Sequence, residues 1–283
     1  MSAALSLGRA WHRFSRNRLS VVGLVLVSAF VLVALLAPFI TPFPEHAGAF
    51  IDFSNRSKPP SARNWLGTDL VGRDLLTRIA FGYGVSLHLS VIVLAIAVPL
   101  GVIPGLLAGY YGGWWEVVIM RIVDVFLSIP SIVFALVVLG LTTPSLTNAM
   151  IAIAFMWWPW YTRLLFNLTR SLKNEGYVVA AEIIGASQAH ILLREILPNC
   201  IPSLLTKVTL DMGFVILLAA GLGFLGLGAQ APIPELGSMV AEGANYLPRL
   251  WWLPIFPGFA ILVAVLGFNL LGDGLRDLLG SDA

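Results

Sequence analysis

Residues 19–40 hold no ionisable side chain, and about 20 apolar residues of helix are what crossing the hydrocarbon core of a bilayer requires. The run is too long for the apolar core of a signal peptide. It ends in Ala37-Pro38-Phe39-Ile40 and not at a small-residue cleavage site, so it reads as a retained helix. The same length test finds a second span within residues 85–111, where His88 is the one side chain that titrates near neutrality and Pro99 and Pro104 predict kinks. Residues 125–162 are uncharged and too long for one helix; Thr142-Thr143-Pro144-Ser145 divides them into two helices joined by a tight turn. A fifth span starts near Met212 and ends before Pro232-Ile233-Pro234, and a sixth runs from about Leu250 to Gly272. The fold class is therefore an all-α integral membrane protein of about six transmembrane helices.

Composition agrees with a lipid solvent. Hydrophobic residues make up 58% of the chain and charged residues 11%, where a soluble domain carries about a quarter charged. A formal net charge of +2, dispersed along 283 residues, excludes a nucleic-acid footprint. Arg9, Arg13, Arg16 and Arg18 precede the first span, so the positive-inside rule places the N-terminus in the cytoplasm, and an even number of spans returns the C-terminus to the same side. Arg163, Arg170, Lys173, Arg194 and Lys207 then fall inside as well. The segment 41–80 must be external although it carries Arg56, Lys58, Arg63, Arg73 and Arg78; Glu45, Asp52, Asp69 and Asp74 offset them. The layout is a basic tail over 1–18, a first helix over 19–40, an external loop over 41–80 and a five-helix core over 81–283, with no internal repeat.

Catalytic chemistry finds no foothold. Gly221-Leu222-Gly223-Phe224-Leu225-Gly226 has the spacing of a dinucleotide-binding turn, but that turn needs a strand before it and a soluble βαβ setting, and here it lies in an apolar span. Lys58, Lys173 and Lys207 are the only lysines and none sits in a phosphate-binding loop, so any ATP hydrolysis belongs to another chain. His12, His46, His88 and His190 are too scattered for a metal site, and Cys200, alone, reads as a small buried residue. His88 is expected to find a neighbour or snorkel. Asp211, and Arg121 with Asp124, lie close enough to the interface to be locally paired or anchoring. No carboxylate is expected near mid-membrane, which weakens a proton-coupled carrier. Two glycosylation-like sequons, at Asn55 and Asn167, carry no weight without a secretory context.

The inner loop over 167–210 is too long and too apolar for a connector. Small residues gather at Ala180, Ala181, Gly185 and Ala186, and Ile191, Leu192 and Ile196 add apolar area, which suits a short helix lying in a partner's groove. A helix resting on the membrane surface or on its own bundle has the same spacing, and spacing alone leaves both open.

At this loop the sequence resembles the membrane subunits of binding-protein-dependent ABC importers, whose signature is E-A-A, three residues, Gly, and a later I-L-P. Here it reads Val179-Ala180-Ala181, Gly185 and Ile196-Leu197-Pro198-Asn199, with Val179 in place of the opening glutamate. Two further segments narrow the likeness to the C-type subunit of dipeptide and oligopeptide permeases. One is the external stretch containing Gly67-Thr68-Asp69 and Gly72-Arg73-Asp74; the other is the closing pair of motifs, 223–232 and 268–277. The resemblance implies a channel-forming permease of a bacterial inner membrane with no ATPase or other catalytic site of its own. It implies that the 167–210 loop docks on an ATPase, that a homologous second permease, two ATPase subunits and an extracytoplasmic solute-binding protein complete the assembly, and that ATP and magnesium bind only the ATPases. It implies import of peptides or related small solutes, and rigid-body rocking eased by small residues such as Gly213, Gly221 and Gly223. A carrier or channel working without ATP is the alternative; a membrane enzyme ranks last for want of a catalytic cluster.

Overall fold

A computed structural model describes residues 11–279; residues 1–10 of the basic tail, Arg9 among them, lie outside the described residues. Every regular element among the described residues is helical. The principal helices, in chain order, are α1 (Arg18–Ile40), α2 (Leu75–Tyr111), α3 (Gly113–Ser128), α4 (Ser131–Gly140), α5 (Leu146–Leu172), α6 (Gly176–Ile183), α7 (Gln188–Phe224), α8 (Leu236–Ala244) and α9 (Trp252–Leu279). Four of these, α1, α2, α7 and α9, are long and apolar enough to cross a membrane, and α3 with α4 makes a fifth if the bent pair is one span. The chain is thus a multi-pass membrane protein. The 27-residue α5 has the length, but Asn148, Trp158, Trp160, Arg163 and Arg170 make it less apolar than the rest.

Local chemistry sets the breaks. Asn17 caps α1 by accepting from the Leu19 N–H at 3.1 Å, and Thr41 closes it by donating its hydroxyl to the Ala37 carbonyl at 2.7 Å. Gly112 and Gly113, at φ of 65° and 53°, take the left-handed turn that separates α2 from α3. Ile129 stands before Pro130, which disfavours helical backbone there; the chain goes extended and α4 leaves α3 at 82°. This bend interrupts the third expected span, which begins at Gly113 and not near Val125. Pro99 and Pro104, by contrast, sit within a continuous 37-residue α2.

Two boundaries move. Leu75 starts α2 inside the segment expected to be external loop, because Asp74 caps it. The fifth span, expected from Met212, is a helix from Gln188 onward. Pro198 lacks an N–H and its ring crowds the carbonyl four residues back; the widened π turn over Ile191–Ile196 absorbs that conflict and lets the helix run through what reads in sequence as loop.

Close helix contact is made by a glycine stripe that the sequence reading did not single out. A Cβ at Gly105 would stand 2.6 Å from the Thr162 carbonyl and one at Gly109 2.7 Å from the Thr169 Cβ, while one at Gly101 would collide with the Tyr161 Cβ. With four-residue spacing these three press α2 onto α5, the largest helix pairing in the molecule. The expected role of the α7 glycines is filled unevenly. Gly213 lies against Val265 and Phe268 of α9, Gly223 against the Glu235 carboxylate, and Gly221 faces open space.

Candidate functional site

Two regions, one at each end of the bundle, hold the residues singled out in sequence. At the first end the α2–α3 turn, α6 and the start of α7 meet. Val178 and Ala181 of α6 are buried beside Leu106, Tyr110, Leu165, Ile191, Ile196 and Cys200. Polar ties fix the seat: Tyr110 donates its hydroxyl to Glu182 at 3.0 Å, Lys173 donates to the Tyr110 carbonyl at 2.6 Å, and the Tyr111 hydroxyl meets the Gln188 side chain at 3.0 Å.

The opposite face of α6 is apolar and uncovered. Tyr177, Val179, Ala180, Ile183 and Ile184 are exposed, the last two at 80% and 83%. The four small residues expected to share one face divide between the two: Ala181 and Ala186 pack inward, Ala180 and Gly185 outward. Gly185 has a different reason to be glycine. Its φ is +82°, and nothing lies within 4 Å of a Cβ built there. Its N–H bonds the Glu182 carbonyl at 3.0 Å and the Ala186 N–H bonds the Ala181 carbonyl at 3.0 Å, the paired bonds of a left-handed helix cap. Ile196 is buried, Leu197 packs on the same cluster, Pro198 is exposed, and Asn199 donates to the Glu195 carbonyl at 2.6 Å. Cys200 is buried there too and serves as packing.

At the other end residues 41–74 fold into a cap over the bundle. Gly67 and Gly72 take φ of +82° and +90°; a Cβ at Gly72 would collide with the Asp52 carbonyl. Thr68 accepts from the Lys58 N–H at 2.9 Å and donates to the Asn55 carbonyl at 2.5 Å. Asp69 accepts from the backbone N–H groups of Val71 and Arg73 and from the Arg73 side chain at 2.6 Å, and Arg78 approaches it at 3.5 Å. Asp74 caps α2, accepting from the Thr77 N–H at 2.8 Å, the Thr77 hydroxyl at 2.9 Å and Asn64 at 2.8 Å. Its own N–H donates to His46 Nδ1 at 2.8 Å, and the imidazole stacks on Phe43 and Phe50. Burial lowers the His46 pKa, against the raising effect of Glu45, Asp74, Asp69 and Asp52. Trp65 is exposed. The anchoring tryptophan is Trp252, buried and donating to the Thr68 carbonyl at 3.3 Å.

The remaining sequence candidates resolve locally. Asp211 is buried and bound by Lys207 at 2.5 Å, one helical turn away. Asp124 pairs not with Arg121 but with Arg163 across the α3–α5 contact, and Glu116 pairs with Arg170 at 3.2 Å on the same seam. His88 is exposed on the α2 surface. Glu235, which sequence reading passed over, is buried and caps α8 by accepting from Gly237 and Ser238 N–H groups at 2.8 and 2.7 Å. The dinucleotide-like glycines fall on the last turn of α7 and the turn after it.

Comparison with known proteins places this arrangement in context. Residues 97–282 match the family profile of binding-protein-dependent transport system inner membrane components, and residues 6–60 match the N-terminal transmembrane domain of oligopeptide transport permease C. The chain is 42% identical over 270 residues to the dipeptide transport system permease protein DppC of Alkalihalophilus pseudofirmus, spanning 95% of this chain and 88% of that one. It is 44% identical over 265 residues to the probable D,D-dipeptide transport system permease protein DdpC of Escherichia coli, spanning 94% and 88%. It is 40% identical over 269 residues to the glutathione transport system permease protein GsiD of Escherichia coli, spanning 95% and 88%. Among solved structures, a chain from inward-facing MetNI methionine ABC transporter crystals superposes with a TM-score of 0.52 at 20% identity, over 70% of this chain and 96% of that chain, a likeness of fold.

Proposed function

The chain belongs to the family of binding-protein-dependent transport system inner membrane components, and on that premise we propose that it imports short peptides or closely related solutes. It is the membrane-spanning, non-catalytic permease subunit of an ABC importer. The peptide assignment rests on relatives named for dipeptides and glutathione. The working assembly pairs this chain with a homologous permease in a bacterial inner membrane, takes solute from an extracytoplasmic binding protein, and draws on two ATPase subunits that hold ATP and magnesium. Six crossings, counting α5 and the bent α3–α4 pair, keep both termini in the cytoplasm and set the 41–74 cap outside.

The observation that carries the coupling role is the bare apolar face of α6. Aqueous exposure of Ile183 and Ile184 is unfavourable, and burying each contributes about 1.5–3 kcal/mol. A groove on the ATPase supplies that burial, with Tyr177, Val179 and Ala180 beside them. Because α6 is fixed to α2 and α7 by Tyr110, Lys173 and Cys200 contacts, movement of the docked helix is passed to the bundle as a rigid body. Substituting Ile183→Asp together with Ile184→Asp is expected to release the ATPase subunits in affinity capture and abolish uptake, with the permease fold intact. Retained ATPase association and uptake would overturn the docking assignment. Peptide-dependent uptake by proteoliposomes holding the whole importer, with ATP inside and binding protein outside, tests the substrate class; transport of peptide by this chain alone contradicts the ATP-coupled mechanism.

A further inference from the structure

The outer end of the bundle contains a charge arrangement that the cap does not use up. Arg78, on the first turns of α2, is only 2% exposed. Its guanidinium carries five N–H donors, yet among the described residues it has one hydrogen bond, to the Pro232 carbonyl at 3.4 Å, and one ion contact, to Asp69 at 3.5 Å. Both are long. Asp69 is already committed to Arg73 at 2.6 Å, so two guanidinium groups share one carboxylate. A buried, donor-rich cation with so little acceptor capacity is costly unless an acceptor arrives from elsewhere.

Arg78 lines a cavity of about 240 Å³ between the 223–233 turn and α8, together with Gln230, Ser238, Ala241 and Glu242. Glu242, which lines the same cavity, is exposed. Arg73, Asp69 and Glu242 are the charged groups acting on Arg78. The cavity is therefore lined by a buried cation and an exposed anion. Gln230 donates its side-chain N–H groups to the Gly226 and Gly228 carbonyls at 3.2 and 3.1 Å, which turns its carbonyl oxygen into an available acceptor.

We infer that this cavity is a solute-binding site for the zwitterionic form of a short peptide, the carboxylate accepting from buried Arg78 and the ammonium donating to Glu242. A peptide carboxylate supplies the acceptor pair that suits a guanidinium fork, and the exposed Glu242 carboxylate is left to receive the ammonium. Nothing here requires that α6 move. The inference rests on the peptide reading of the importer and assigns that reading a receiving site on the face that carries residues 41–74.

The test uses the assembled importer in nanodiscs without binding protein, probed by equilibrium binding of labelled dialanine, N-acetyl-dialanine and dialanine amide. The wild type is expected to bind dialanine more tightly than either blocked form. Glu242→Gln, on an exposed side chain, is expected to weaken dialanine about tenfold while leaving N-acetyl-dialanine unchanged; Arg78→Lys is expected to erase the preference for a free carboxylate. Ala241→Leu, which fills the cavity, is expected to weaken all three. Should Arg78→Lys prevent assembly, the other two variants decide. If the complete importer takes up dialanine yet Glu242→Gln and Ala241→Leu bind as wild type, the site is wrong and the peptide reading stands. If it takes up no peptide, that reading fails first.

Discussion

The two ends of this molecule solve opposite problems. The cap over 41–74 closes on itself: Asp69, Asp74, Thr68 and His46 are buried, and each is tied to several groups within the cap or the first turn of α2. The α6 end is fastened on one side and left bare on the other, with two isoleucines exposed. A region whose polar groups are internally satisfied can be a stable platform, and a region with an uncovered apolar helix face is built to be covered by something else. The contrast teaches that stability and association are carried by different residues, and substitutions separate them.

The largest effect is expected in the cap. Gly72→Ala brings a Cβ onto the Asp52 carbonyl at a φ of +90°, so strain and overpacking combine to about 3–5 kcal/mol. The purified importer should melt at a lower temperature and become protease-sensitive within residues 41–74, while ATPase subunits stay bound to what remains folded. Next comes Asp74→Ala, which removes the cap of α2 and strands the Asn64 amide. The expected loss is about 2–3 kcal/mol in thermal unfolding, and Asp74→Asn should recover part of it because one oxygen still accepts. An unchanged melting temperature in either Ala variant breaks the view of the cap as the self-sufficient end.

Gly185 sharpens the other side. With φ of +82° and no atom within 4 Å of a built Cβ, any L side chain meets the same backbone penalty, about 1–2 kcal/mol. Gly185→Ala and Gly185→Trp are therefore expected to weaken ATPase association to similar degrees, read by affinity capture at graded protein concentration. A far larger loss for the tryptophan variant would instead support close approach of a partner's backbone.

These residues also show what sequence reveals and what it hides. The long uncharged runs exposed α1, α2 and α9 because composition alone decides whether a segment of that length prefers lipid. The start of α7 was hidden, since Pro198 normally ends a helix and only the π turn over Ile191–Ile196 accommodates it. The loop motif located α6 but not the role of its residues: spacing gave Ala180, Ala181, Gly185 and Ala186 one face, whereas the helix buries Ala181 and turns Ala180 out. Arg78 and Glu242 stand 164 positions apart, and only the return of α8 to the start of α2 brings them to one cavity. Three glycines at 101, 105 and 109 were legible in principle as a four-residue repeat, but within a uniformly apolar span nothing marked which face met α5.

The smallest expected effect concerns pH and again falls on the cap. His46 accepts the Asp74 N–H on Nδ1, so the neutral ring is the form that fits, and burial holds its pKa below the ordinary 6.5. For a base depressed in the folded state, the unfolded chain takes up the proton first. The cap should thus lose stability as pH falls from about 6.5 through the lowered value, and gain none above it. His46→Phe keeps a ring between Phe43 and Phe50 but removes both the acceptor and the titration. Near pH 7.5 it should be less stable than wild type by about 1 kcal/mol, the cost of a lost acceptor, and toward pH 5 the gap should close because only the wild type is penalised by protonation. Melting curves that stay parallel across this range would show that the imidazole proton has no part in holding the cap.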